Sequence, residues 1–271
     1  MLNYFKEFIK FITHIAENNK LIITLVANDF KKQYLGSYFG LFWAFAQPLT
    51  YIIVIWFVFT IGFRQSGSHT ETPFFLWLIS GMIPWFFFAS GLSSGANAIV
   101  GNSFLVKKVA FRVSILPIVQ IGSAFIIHGA LVLFLVLAFL LYGFTPSIYW
   151  LQLFYYLFLS IFLLLGLSWL TSSIRVFVKD VSNFISVVIQ VGFWATPIFW
   201  QSSKIPEKYH FILSLNPMYY IVEGFRDTFI NHVWFWQKPA DTLFFMSISI
   251  FTFILGAIVF RRLRPHFGDV L

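Results

Sequence analysis

Cysteine is absent from the 271 residues, which excludes disulfides, thiolate metal sites and cysteine nucleophiles. Charge is scarce: Asp, Glu, Lys and Arg make up 10% of the chain, against about a quarter in an ordinary soluble domain. Carboxylates are scarcer still, and none occurs in the 108 residues from Thr72 to Lys179. Ion-coupled carriers place ionisable or liganding groups within the membrane, so this gap argues against proton or sodium coupling. The six histidines are scattered without metal-ligand spacing, and His128, the one inside an apolar run, reads as a packed residue rather than a proton relay. No glycine-rich turn ends in Gly-Lys-Ser/Thr, so the chain has no phosphate-cradling loop with which to hydrolyse ATP itself.

What the chain has instead is apolar length. Charge-free runs cover Gln33–Phe63, Thr72–Val106, Val113–Ile174, Val181–Ser203 and Thr242–Phe260. A membrane-spanning helix needs about 20 such residues. The run from Val113 to Ile174 must be two spans, because Tyr142-Gly143-Phe144-Thr145-Pro146-Ser147 is a turn signal at its middle. The fold expected is therefore all-α and integral to the membrane, one transmembrane domain over 1–271. Six spans are expected, at 37–62, 73–94, 113–141, 149–172, 181–200 and 242–260. With both termini on one side, that side holds 13 of the 18 Lys and Arg, which places both termini in the cytosol. No apolar core with a small-residue cleavage site precedes the first span, so no secretory leader is expected.

Two stretches are apolar on one face without being spans. Residues 3–17 place Tyr4, Phe5, Phe8, Ile9, Ile12 and Ile15 at helical spacing, with Lys6 and Lys10 opposite. This is a helix lying in the membrane interface, either as an anchor or also as a docking surface for a cytosolic partner. Between the fifth and sixth spans, 201–241 reads as two short helices broken at Asn216-Pro217, since proline disfavours helix in the residue before it. Apolar residues on both limbs suggest a re-entrant outer hairpin, with Arg226 paired to Glu223 or Asp227. A hairpin at membrane depth must be covered by protein or line a cavity, so it suggests a gate.

Helix geometry singles out two uncharged polar faces. At about 100° per residue, Gln33, Ser37, Gly40, Ala44, Gln47 and Tyr51 share one face of the first span. Asn183, Ser186, Gln190, Trp194, Pro197 and Gln201 do likewise in the fifth. Such faces can hydrogen-bond hydroxyls and stack on sugar C–H groups, forming a conduit; small residues at this spacing also make helix-packing seams. On the cytosolic side, Lys31 and Lys32 suit orientation and lipid contact, or capture of a pyrophosphate at the entrance. Lys107, Lys108 and Arg112 suit lipid or a partner protein. A membrane enzyme acting on lipid-linked sugar would have only Asp180, Glu223 and Asp227 as candidate acids or bases.

Five segments in order carry a family likeness: NDFKKQYLGSYFGLFWAFAQPL, SGMIPWFFFASGL, NSFLVKKVAFRVSILP, LNPMYYIVEGFRDTFI and RRLRPHFGDVL. Together, from Asn28 to the C-terminus, the chain resembles the polysaccharide export permeases of the type-2 ATP-binding-cassette class. These move O-antigen, capsule or teichoic acid on a lipid carrier. SGMIPWFFF and VWFWQKP look most like teichoic acid translocation permeases, whereas NSFLVKKVAF is shared with O-antigen exporters. The resemblance implies a multi-pass homodimer in the bacterial plasma membrane with two copies of a separate ATPase. That partner would bind ATP and Mg, leaving this chain no cofactor, no metal site and no catalytic residue of its own. The substrate implied is a polymer on undecaprenyl pyrophosphate, with no nucleic-acid partner. Its conduit would be lined by Ser37, Gln47, Tyr51, Asn183, Gln190 and Trp194. Lys31 and Lys32 would meet the carrier, and Asn97, Lys107, Lys108 and Arg112 would couple to the ATPase. Asn216, Pro217, Glu223 and Arg226 would form the outer gate.

Overall fold

The computed structural model describes residues 18–34, 38–62, 72–107 and 112–271. The amphipathic stretch 3–17, Ser37 and Lys108 lie outside the described residues. Among the described residues all regular structure is helical. Five stretches are long and apolar enough to cross a membrane: Phe42–Gly62, Phe74–Asn97, Val113–Leu141, Ile148–Arg175 and Pro239–Val270. Five of the six expected spans thus have their helix, and the protein is an integral membrane protein. The turn expected within the longest run falls between Leu141 and Ile148, where the helix on either side stops.

In chain order the helices used below are α1 (Asn19–Tyr34), α2 (Phe42–Phe57) and α3 (Phe74–Asn97). They continue with α4 (Leu116–Leu141), α5 (Leu153–Arg175) and α6 (Val181–Ala195). The outer hairpin supplies α7 (His210–Ser214) and α8 (Pro217–Arg226), and α9 (Pro239–Leu263) returns across the membrane.

Expectation and structure differ at the fifth crossing, where the helix covers Val181–Ala195 rather than 181–200. Fifteen residues rise about 22 Å, less than the hydrocarbon core of about 30 Å. Pro197 is the cause. It has no N–H to donate, and its ring pushes the preceding residue out of helical geometry. Thr196 accordingly adopts φ −86° and ψ 138°, and the chain continues without helix to Gln201.

Packing is uneven. Leu76, Trp77, Leu78 and Ile79 are consecutive and all buried, and no single face of a helix holds four consecutive residues. The apolar window of α3 is 78% buried, against 11% for Phe42–Gly62 and 22% for Pro239–Val270. So α3 is the centre, packed on α4, α5 and α8, while α2 and α6 lie along it with much of their surface uncovered. The tightest pair is α5 with α9. A Cβ on Gly256 would stand 2.2 Å from the Gly166 carbonyl oxygen, and one on Gly166 would stand 2.7 Å from Phe253 Cα. Glycine at both positions lets the two backbones touch, as small residues do in membrane helix pairs. A second cluster at the opposite end from the hairpin joins Ile99, Val113, Trp169, Val176, Phe260 and Phe267.

Candidate functional site

At the end of the bundle that carries α7 and α8 the site is assembled around Arg226. Asn216 caps α8: its Oδ1 accepts the Met218 N–H at 3.0 Å, and Pro217 occupies the first turn, where no amide is needed. The other side of the same amide donates from Nδ2 to Thr196 Oγ1 at 2.7 Å, binding the start of α8 to the end of α6. Three turns on, Arg226 points back at that junction. Nη1 donates to the Pro197 carbonyl at 2.6 Å and to Glu223 Oε1 at 2.8 Å, and Nη2 donates to the Ile198 carbonyl at 2.8 Å. The guanidinium also lies 3.6 Å from the centre of the Trp77 ring. Both carbonyls lie in the non-helical segment that follows Ala195. With Arg226 only 2% exposed, a buried cation is held by a carboxylate, two carbonyls and a ring face.

The expected pairing of Glu223 with Arg226 is therefore present, and the alternative pairing through Asp227 is not. Asp227 forms its ion pair with Lys238 and accepts from Asn231 Nδ2 at 2.9 Å. Both carboxylates of α8 and its extension are paired with cations. The two limbs of the hairpin also differ. Phe211, Ile212 and Leu215 are exposed, while Met218, Ile221, Val222 and Phe225 are buried against the bundle. The second limb is thus the one covered by protein.

The opposite end carries a tie that the sequence reading did not find. Asp29 of α1 accepts from Gln120 Nε2 at 2.7 Å through Oδ1, and from Ser123 Oγ at 2.7 Å through Oδ2. Gln33 Nε2 adds a third donor at 2.8 Å. Gln120 and Ser123 lie three residues apart, hence on one face of α4. Val26 packs where a Cβ on Gly122 would stand 2.7 Å from its methyl. Farther along α1, Lys31 and Lys32 are exposed and Tyr34 is half-buried. Burial, with the Asp29 carboxylate adding to it, pushes the Tyr34 phenol above its ordinary range, so it stays a neutral hydroxyl.

Between these ends a cleft of about 480 Å³ opens between α2, α3 and α4 and reaches Tyr34. Gln47 and Tyr51 line it with Ser90 and Ser93 of α3. His128 also belongs to its lining; the ring is 2% exposed and stacks on Phe87 at 4.5 Å, a packed histidine as expected. Asn183, Gln190 and Trp194 stand exposed on α6 and do not line this cleft. The first polar face is interrupted: Gln33 belongs to α1, Gly40 stands in a turn at φ 43° before α2, and Ala44 is buried, so a single helical phase does not run through them. Gln47 and Tyr51 are exposed on α2, and within one chain they share no cavity with the exposed residues of α6. Of the remaining candidates, Asn97 is half-buried, with Nδ2 donating to the Ser93 carbonyl at 2.8 Å. Lys107 is exposed at the end of the short helix Ser103–Val106, and Arg112 is half-buried just before the turn leading into α4.

Residues 20–230 match the ABC-2 type transporter family, which takes in α1 to α8. Two O-antigen export system permease proteins RfbA of Klebsiella pneumoniae are similar over most of their length. One is 29% identical over 254 residues, which is 93% of this chain and 95% of the relative. The other is 27% identical over 259 residues, with the same coverage of both chains. An O-antigen export system permease protein RfbA of Myxococcus xanthus is 26% identical over 266 residues, 96% of this chain and 99% of the relative. On a match running from the Asp29 tie through the Arg226 junction, the chain belongs to the ABC-2 type transporter family.

Proposed function

We propose that the chain is the membrane subunit of an ATP-driven exporter that moves a lipid-linked, O-antigen-type polysaccharide across the bacterial plasma membrane. The observation that carries this reading is the full-length similarity to permeases named for O-antigen export, within a transporter family. The same observation moves the reading from teichoic acid, favoured by two short stretches, to O-antigen-type polymers. The functional unit is a homodimer with two copies of a separate ATPase, and both termini are cytosolic. The fifth crossing is made by α6 together with the extended segment 196–200, an arrangement supported by the saturated carbonyls of Pro197 and Ile198.

In this assembly Gln47, Tyr51, Asn183, Gln190 and Trp194 face the polymer, with Ser37 at the start of the same face. Their exposure, 54% for Tyr51 and 60% for Trp194, supports that role, because packing within the chain does not consume the rings. Lys31 and Lys32 meet the carrier pyrophosphate. Asn97, Lys107, Lys108 and Arg112, with the segment 3–17, contact the ATPase. The Asn216–Arg226 limb is the outer gate. Co-expression with a candidate partner ATPase of the ATP-binding-cassette class tests the reading. A complex is expected that hydrolyses ATP and carries lipid-linked polysaccharide into inverted vesicles. Equal transport without ATP would refute it.

A further inference from the structure

We propose that the cleft between α2, α3 and α4 binds the uncharged sugar next to the carrier diphosphate, and that it rejects an anionic sugar there. The inference rests on the exporter reading and specifies which part of the substrate the cleft takes. Its volume, about 480 Å³, falls within the usual range of ligand sites, about 300–1,000 Å³.

The lining decides the chemistry. Gln47 offers an amide, and Tyr34, Tyr51, Ser90 and Ser93 offer hydroxyls. Gln47, Ser90 and Ser93 are exposed within the apolar stretches of α2 and α3, toward the ends nearest Tyr34. Polar side chains there face water or a polar ligand, and a hydrocarbon occupant would leave them without partners. Trp43 and Tyr51 are each 54% exposed and present ring faces suited to sugar C–H groups. No Asp, Glu, Lys or Arg lines the cleft, so a diphosphate or a carboxylate inside it would be stripped of water without a cation in return. Cations stand just outside: Lys31 and Lys32 precede Tyr34 on α1, and the Asp29 tie fixes α1 against α4. A neutral chamber beside a basic rim matches an amphiphile whose first sugar is uncharged and whose linkage is anionic.

The test uses the full chain in lipid nanodiscs and three probes: undecaprenyl diphosphate alone, and the same carrier bearing N-acetylglucosamine or glucuronic acid. Binding is read by native mass spectrometry. The N-acetylglucosamine probe is expected to bind tighter than the glucuronic acid probe by about ten-fold, the scale of one charge-assisted contact. Gln47→Arg, on an exposed position, should narrow or reverse that preference by supplying a cation. Ser93→Phe, which fills the cleft, should bring both sugar probes to the level of the carrier alone. Equal binding of the two sugar probes, or a preference that survives both substitutions, overturns the assignment of the cleft. Failure of all three probes to bind overturns the exporter reading, and the cleft assignment with it.

Discussion

Each end of the molecule is tied by one charged side chain, and the two ties are built differently. Arg226 is buried, faces an anion, and sits on a helix with six other buried residues. Asp29 is half-buried, meets three neutral donors, and sits on a helix with no buried residue at all. At the Arg226 end, therefore, hydrophobic burial and charge act together, and water cannot replace the partners once they separate. At the Asp29 end polar contacts do most of the holding, and water can take over each of them. A joint of the first kind stays shut until something specific competes for it; a joint of the second kind opens and closes at little cost.

The sharpest way to break this contrast is Arg226→Met, expected to lower stability by about 3–5 kcal/mol, because it strands Glu223 and two buried carbonyls. Scanning fluorimetry of the purified protein measures it. Arg226→Lys should recover little, since a point charge cannot serve both carbonyls as the planar fork does. Adding Glu223→Gln to Arg226→Met should cost less than the sum of the two single changes. Next in size is Gly81→Leu. Its Cβ would stand 3.0 Å from Arg226 Nη2 and 3.3 Å from the Ile198 carbonyl, and overpacking of this kind costs about 1–3 kcal/mol. Asp29→Asn should cost about 1–2 kcal/mol, confined to α1. Faster amide exchange there, with little change in melting temperature, is the expected signature. If Asp29→Asn lowered the melting temperature as far as Arg226→Met, the two ties would not differ in kind. Smallest is Asn216→Ala, about 1 kcal/mol for a lost cap, with Asn216→Asp keeping most of it because the carboxylate still accepts the Met218 N–H.

The spans were legible because membrane length and charge exclusion are properties of a contiguous run, and the helices end within a few residues of those runs. The break after Ala195 was legible in principle, since Pro197 announces it; counting apolar residues alone carried the helix too far. Asn216-Pro217 was read correctly as a helix start for the same local reason. The ties were not legible. Gln120 and Ser123 lie 91 and 94 residues from Asp29, and nothing in a helical wheel links them. The pairing of Arg226 with Glu223 follows from their local spacing and is present. The burial of Arg226 depends on carbonyls 28 and 29 residues earlier. The polar faces of α2 and α6 followed from angles about each axis, but an angle does not say which neighbour a face will meet.

The glycine contact between α5 and α9 has a mechanical consequence. Sliding either helix by one residue would drive a β-carbon into a carbonyl that now lies against bare Cα hydrogens. Their register is therefore fixed by hard-sphere repulsion rather than by any attraction that a ligand might outbid. The pair serves as a stator. Displacement is left to the thinly covered helices α2 and α6, which flank α3 on the other side of the same frame.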